Sequence, residues 1–209
     1  MAAASPGDRL SQLLDIVRLM ARESDAARLM ERILLTAKAA TLADGGSFYL
    51  VDEDGRSLGF ALLVNDTLGI RAGGTSGRPA ADLKAPALFE ADGAPNHRSV
   101  VAHCVHTRRP VRLDDAYAAE GFDFAGARAF DAEHGYRSRS FLAVPMIDHG
   151  GRVIGALQLV NARADDGSPA TFSAEDEAYA AALTALAAIA VERQRLISDV
   201  DPGARDRRR

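Results

Sequence analysis

A single cysteine, Cys104, in a chain of 209 residues excludes an internal disulfide and any zinc site built on several thiolates. No sign of charge dominates: 25 Lys and Arg stand against 29 Asp and Glu, for a formal net charge of -4. That balance removes any global electrostatic case for nucleic acid or an anionic membrane as partner. The basic end, Arg205, Arg207, Arg208 and Arg209 interrupted by Asp206, is short and reads as a frayed tail. Long apolar runs are missing too. The richest stretch, 178–191, is alanine-heavy behind an acidic start, which suits a packed helix rather than a membrane span. The opening MAAASPGD has neither a charged leader nor an apolar core, so it does not read as a secretion signal, and the expected location is cytoplasmic. A Walker-type phosphate loop is also absent: Gly73-Gly74-Thr75-Ser76-Gly77 has no following Lys and reads as a flexible turn.

What remains is an ordinary globular composition, 47% hydrophobic and 26% charged, long enough for one domain with a full core and helical extensions. Residues 8–22 carry Leu10, Leu13, Leu14, Val17, Leu19 and Met20 at helical spacing, with Asp8 or Ser11 as cap. A second helix, about 25–41, places Leu29, Met30, Ile33, Leu34 and Ala37 on one side, and Asp44-Gly45-Gly46 reads as its stop. SFYLV (47–51) and LGFALLV (58–64) read as strands joined by a turn at 52–56. From Asn65 to Pro95 periodicity disappears, leaving a loop with one short strand near Leu68–Arg71. A helix at about 97–108, capped by Asn96 or Ser99, is followed by a short strand at Val111–Leu113. Residues 114–139 are irregular, with a turn or two of helix around Ala125–His134. A hairpin at 140–147 and 152–160 comes next, and Ser173 caps a final helix running to about residue 197. Consecutive strands joined by tight turns imply an antiparallel sheet, so the fold class is α+β.

Three pieces of sequence go further. Asp114-Asp115-Ala116-Tyr117 is followed by Phe122; GYRSRS (135–140) runs into FLAVP; and VIGALQLVN (153–161) precedes Phe172, Asp176 and Glu177. In this order and spacing they resemble the GAF domain, in particular the type found in cyclic-nucleotide phosphodiesterases and bacterial signalling proteins. The resemblance implies an antiparallel sheet of about six strands. Terminal helices pack on one face, and loops and short helices cover a small-molecule pocket on the other. It divides the chain into a disordered start (1–7), a dimerisation helix (8–24), the domain itself (25–197) and a disordered basic tail (198–209). The phosphodiesterase signature is matched by Asn161, Phe172, Asp176 and Glu177, but Ala162 stands where that family has a Lys that pairs with the Asp; Arg163 lies one residue along.

By family position the ligand-binding set is Ser47 from the first strand, Asn65 or Asp66 at the far side, Val100 and Val101 at the start of the lining helix, Phe122 and Asp123 in the covering loop, and Asp131, His134 and Ser138 around its return. A cyclic nucleotide is the implied candidate ligand; no resident cofactor is expected. Alternation sets Arg137 and Arg139 opposite Ser138, solvated or paired with loop acids such as Asp131 and Glu133. The resemblance also implies a homodimer through the terminal helices and, since no output domain follows the last helix, a separate output protein as partner.

Two further functions have to be weighed. The fold can serve as a dimerisation scaffold without a ligand. A free-standing GAF protein can also reduce free methionine sulfoxide, but that chemistry uses several thiols, and one cysteine argues against it. No Ser-His-Asp or paired-carboxylate spacing is present, so no catalytic residues are assigned. His97, His103 and His106 lie close together without a carboxylate to complete a ligand set, so they read as surface or packing histidines and no metal is expected. Cys104 is followed by Val105 rather than His, so the pattern for a covalent tetrapyrrole is not met.

Overall fold

Ser5 opens α1 (Pro6–Met20) with a reciprocal cap: its hydroxyl accepts the Asp8 N–H at 3.3 Å, and the Asp8 carboxylate accepts the Ser5 N–H at 3.1 Å. The helix therefore begins ahead of the expected 8–22, because Pro6 sits in a first turn that needs no N–H from it. The computed structural model describes residues 4–80 and 85–200, the last three by backbone alone. The expected disordered tail lies mostly outside these residues. Asp25 caps α2 (Ala26–Thr41) by accepting from the Ala27 and Arg28 amides. Leu29, Ile33, Leu34 and Ala37 are fully buried along one face of α2, each large one contributing about 1.5–3 kcal/mol.

α2 ends at Thr41 with Leu42 as its cap, not at Asp44-Gly45-Gly46. Leu42 takes the left-handed conformation (φ 50°) and returns its N–H to the Lys38 carbonyl. Gly45 and Gly46 lie inside β1 (Ala43–Val51), and Gly46 is there for clearance: a Cβ would stand 2.7 Å from Leu34 Cδ1. The glycines mark close packing rather than a turn.

β1 pairs with β2 (Leu58–Asn65), which carries β3 (Ile70–Gly73) at its outer edge. α3 (Val100–Thr107) opens on Ser99 alone, later than the expected start at 97, and β4 (Val111–Leu113) follows. α4 spans Ala125–His134 as the spacing predicts. The hairpin of β5 (Phe141–Ile147) and β6 (Val153–Ala162) then returns to β1, closing one six-stranded antiparallel sheet in the order β3-β2-β1-β6-β5-β4. α5 (Ala174–Val200) is capped by Ser173, whose hydroxyl accepts the Asp176 N–H at 3.1 Å.

Strand alternation sorts the side chains. Phe48, Leu142, Val144, Leu157 and Leu159 meet α2 and α5 in the main core. Tyr49, Phe141, Ala143 and Ala156 point to the other face, under α3. α1 and α5 lie side by side and run in the same direction, since Arg9 meets Asp176, Gln12 meets Tyr179, and Arg193 donates to the Met20 carbonyl. Among the described residues no helix is long and apolar enough to cross a membrane.

Candidate functional site

α3 presses one side onto the sheet and offers the other to the covering segments. Val101, Cys104 and Val105 are buried on the sheet side, where Leu88 from the preceding loop and Phe124 join them in two apolar clusters. Burial pushes the Cys104 thiol up to about 12, so at neutral pH it is protonated and sealed from solvent. Burial raises the Tyr49 phenol in the same way, with the Ser47 hydroxyl as hydrogen-bond partner.

Along the edge of α3 runs a series of aromatic rings. Phe89 meets His106 at 5.2 Å between centroids, His106 meets His97 at 5.6 Å, and His97 meets His103 at 5.1 Å. His103 then meets Phe122 at 5.4 Å, and Phe124 continues the series to Phe141 on β5. Within this series His103 Nδ1 is buried and forms no hydrogen bond of good geometry, although the His97 backbone lies near enough to act on the ring. Burial first, then the neighbouring His97 and His106, hold the His103 imidazole below its usual range. Among the described residues no group of three His, Cys, Asp or Glu is arranged to hold a metal ion.

The covering segment is clasped where it returns to the sheet. Asp131, 2% exposed, accepts the Ser138 N–H at 2.7 Å, the Ser138 hydroxyl at 2.9 Å and the Tyr117 hydroxyl at 3.0 Å. Arg137 lies over the Tyr117 ring at 4.1 Å and 3.6 Å from Asp115. Asn161, at φ 59°, accepts the Arg139 N–H and donates to the Arg137 carbonyl. The polar lead into β5 is therefore a latch on the covering segment.

At the end of the sheet, Asp44 is buried and accepts hydrogen bonds from Thr67 (2.7 Å), Tyr136 (2.7 Å) and Arg163 (2.6 Å). Burial pushes its carboxyl up, but these three donors together outweigh burial and hold it below the usual range. Beside this network, between the last turn of α2, the β2–β3 turn and the 163–167 turn, lies a concavity of about 300 Å³. Lys38, Asp66, Arg71, Arg163 and Asp165 supply its charged groups.

This topology, with three helices on one sheet face and a clasped covering segment on the other, is matched by a family profile described as GAF domain over residues 23–192. The chain belongs to the GAF domain family. Solved structures agree on the fold. The GAF domain of a phosphoenolpyruvate-protein phosphotransferase from Coxiella burnetii superposes with a TM-score of 0.64 at 14% identity, covering 94% of this chain and 99% of that one. Its counterpart from Acinetobacter gives 0.61 at 17%, covering 91% and 97%. Free methionine-R-sulfoxide reductase from Neisseria meningitidis gives 0.60 at 21%, covering 94% and 97%. GAF domains are in general small-molecule-binding or regulatory modules.

Within the GAF frame, the structure brings Ser47, Val100, Val101 and Phe122 to the α3 face, the first three buried and Phe122 partly so. Asp131 and Ser138 are bonded to each other, so their polar groups serve the latch first. Asp123 is exposed and pairs with Arg98 at 3.2 Å; His134 is exposed and stacks on Phe130 within α4. Asn65 is buried at the end of β2, its side-chain oxygen accepting the Leu68 N–H at 2.9 Å. Asp66 turns to the helical side and meets Lys38.

Arg137 pairs with a loop acid as expected, though with a different one, and two other charge pairings differ from expectation. Arg137 takes Asp115 rather than Asp131 or Glu133, because Asp131 is already occupied by Ser138. Arg163 does not stand in for the signature Lys; it turns to Asp44 and Thr67. Asp176 is met instead by Arg9 of α1. Phe172 is 2% exposed in the core, Asn161 holds the latch, and Glu177 lies 3.6 Å from Arg112. The sequence reading missed Asp44, Tyr136, Lys38 and Arg71. Only Lys38 left a signal, as a Lys four residues after Leu34 on the apolar face of α2.

Proposed function

We propose that this GAF domain is a regulatory sensor module whose ligand is a flat heterocycle, a cyclic nucleotide being the first candidate, received between α3 and the covering segments. One observation carries the reading: a continuous series of aromatic rings along α3 that contains a buried nitrogen, His103 Nδ1, with no hydrogen bond of good geometry. A ring edge bearing an N–H would satisfy that nitrogen while its faces stack on the neighbouring rings. The apolar clusters beneath α3 fill the face with the protein's own side chains, so entry requires the latch at Asp131 and Ser138 to give way. Binding would thus be coupled to movement of the covering segment and of the sheet edge it grips, for a separate partner protein to read.

The test is native mass spectrometry of freshly purified protein, with thermal melts and histidine C–H NMR spectra in the presence of cyclic AMP, cyclic GMP and free nucleosides. A bound heterocycle, or a raised Tm with shifts at His97, His103 and His106, supports the sensor. No released molecule and no stabilisation across those compounds overturns it.

A scaffold role through dimerisation is favoured by a separate feature. Leu10, Leu14 and Val17 form one stripe on α1 and are 60%, 47% and 49% exposed; Ile189, Leu196 and Ile197 on the adjacent α5 are 52%, 63% and 46% exposed. Since α1 and α5 run in parallel, their exposed apolar positions continue one another, and a second copy of this chain presents the matching surface across a two-fold axis. Catalysis as a sulfoxide reductase is disfavoured by the buried, protonated Cys104.

A further inference from the structure

The concavity at the end of α2 is built from residues that the sensor reading does not use. At about 300 Å³ it stands at the small end of the range that small-molecule sites occupy. Lys38 supplies one wall and is only 4% exposed. Its Nζ lies 2.8 Å from Asp66 Oδ1, but the approach does not meet hydrogen-bond geometry, and no other acceptor among the described residues reaches the nitrogen. A buried ammonium with unmatched donors is costly, and Asp66, whose side chain is 65% exposed, keeps much of its own hydration.

Arg71, an exposed residue of the edge strand β3, also lines the cleft. Its guanidinium has no hydrogen bond or ion pair among the described residues. Arg163 is different: it is held by Asp44 and Thr67 at 2.6 and 2.8 Å and acts as a fixed part of the lining. Leu35 and Leu42 give the cleft an apolar surface. Two cations with unused donors thus line one small, partly apolar space. The acids present, Asp66 and Asp165, limit the excess positive charge and favour a small guest of one or two negative charges over a polyanion.

We propose that this concavity is a second binding site for a small organic oxyanion, a carboxylate or a phosphate monoester with a short apolar body. Arg71 and Lys38 grip the oxyanion, the hydrocarbon lies against Leu35 and Leu42, and Asp66 competes for Lys38 from within. The site stands apart from the α3 face, so it does not depend on the sensor reading.

The experiment is an amide NMR titration of the full chain with butyrate, glycerol 3-phosphate and inorganic phosphate in low-chloride buffer. Saturable shifts at residues 66–71 and 163–167 are expected with at least one organic probe. Butyrate alone identifies a carboxylate site, and glycerol 3-phosphate alone a phosphate-ester site. Arg71→Gln, an exposed edge-strand change that leaves the core intact, should weaken binding about tenfold, whereas Asp66→Asn should tighten it about threefold. Lys38→Met reports the second grip if it folds; Arg71→Gln decides if it does not. No saturable shift up to about 50 mM, equal affinity in Arg71→Gln, or binding of inorganic phosphate without either organic probe overturns the proposal.

Discussion

The Arg9 guanidinium stands 2.5 Å from the Asp176 carboxylate, joining the first turn of α1 to the first turn of α5. Both side chains are 13% exposed. The same carboxylate also accepts the Ser173 N–H and hydroxyl at 2.8 Å, and Arg9 further donates to the Ala40 carbonyl at 3.2 Å. One pair therefore ties together three helices.

Arg9→Ala should lower stability by about 1–2 kcal/mol in urea unfolding, and Asp176→Ala by about 1 kcal/mol more because the carboxylate half of the reciprocal α5 cap is lost as well. A double-mutant cycle should give a coupling of at least about 1 kcal/mol. Additive effects would show that the pair contributes nothing of its own.

Cys104 is fully buried, and burial pushes its thiol up to about 12. Native protein should react with a disulfide reagent at least about a hundredfold more slowly than urea-unfolded protein, because attack requires an exposed thiolate. Rapid labelling of the folded chain, or turnover of free methionine sulfoxide abolished by Cys104→Ser, would reinstate the reductase.

His103 faces the imidazoles of His97 and His106 and the ring of Phe122, and its folded pKa is depressed, by burial first and by those histidines next. The unfolded chain takes up this proton more readily than the folded one. Stability from His103 is therefore complete above its unfolded value of about 6.5 and declines as pH falls through that value toward the folded pKa. His149 works the other way. Hydrogen bonding and charge from Glu192 raise its pKa, so its contribution is present at low pH and is lost as pH rises through the raised value. Urea midpoints measured between about pH 5 and pH 8 should lose their acid-side decline in His103→Gln and their alkaline-side decline in His149→Gln. A pH profile unchanged by either variant would refute both assignments.

The exposed stripe on α1 and α5 should hold a dimer at micromolar concentration in light scattering. Leu14→Glu together with Leu196→Glu should shift it to monomer and leave Tm, extrapolated to low concentration, nearly unchanged, since both sites are already exposed in one chain. A wild type that is monomeric throughout removes the scaffold reading.

Much of the fold was legible because its signals are local. The α4 span, both hairpins and the Ser99 and Ser173 caps follow from spacing and turn residues within a few positions of one another. The misreadings have physical causes. Gly45-Gly46 resembles a helix stop, yet glycine serves equally where a strand passes close beneath a helix, and only the position of Leu34 tells the two apart. Ser138 and Asp131 each carry polar atoms suited to a ligand; that they bond to one another depends on how α4 folds back, which no periodicity encodes.

From the amino-acid order alone came the element sequence, the antiparallel α+β class and the resemblance to the GAF domain, which the family comparison confirmed. These rest on backbone geometry and side-chain period, which act over a handful of residues. Tertiary structure alone decided the partner of each buried charge: Arg163 with Asp44 at a separation of 119 positions, Arg9 with Asp176 at 167, and Lys38 against Asp66 beside an open cleft. Charge pairing is settled by which strand ends and helix termini converge after the sheet closes, and the desolvation of each ion depends on that convergence rather than on its neighbours in sequence.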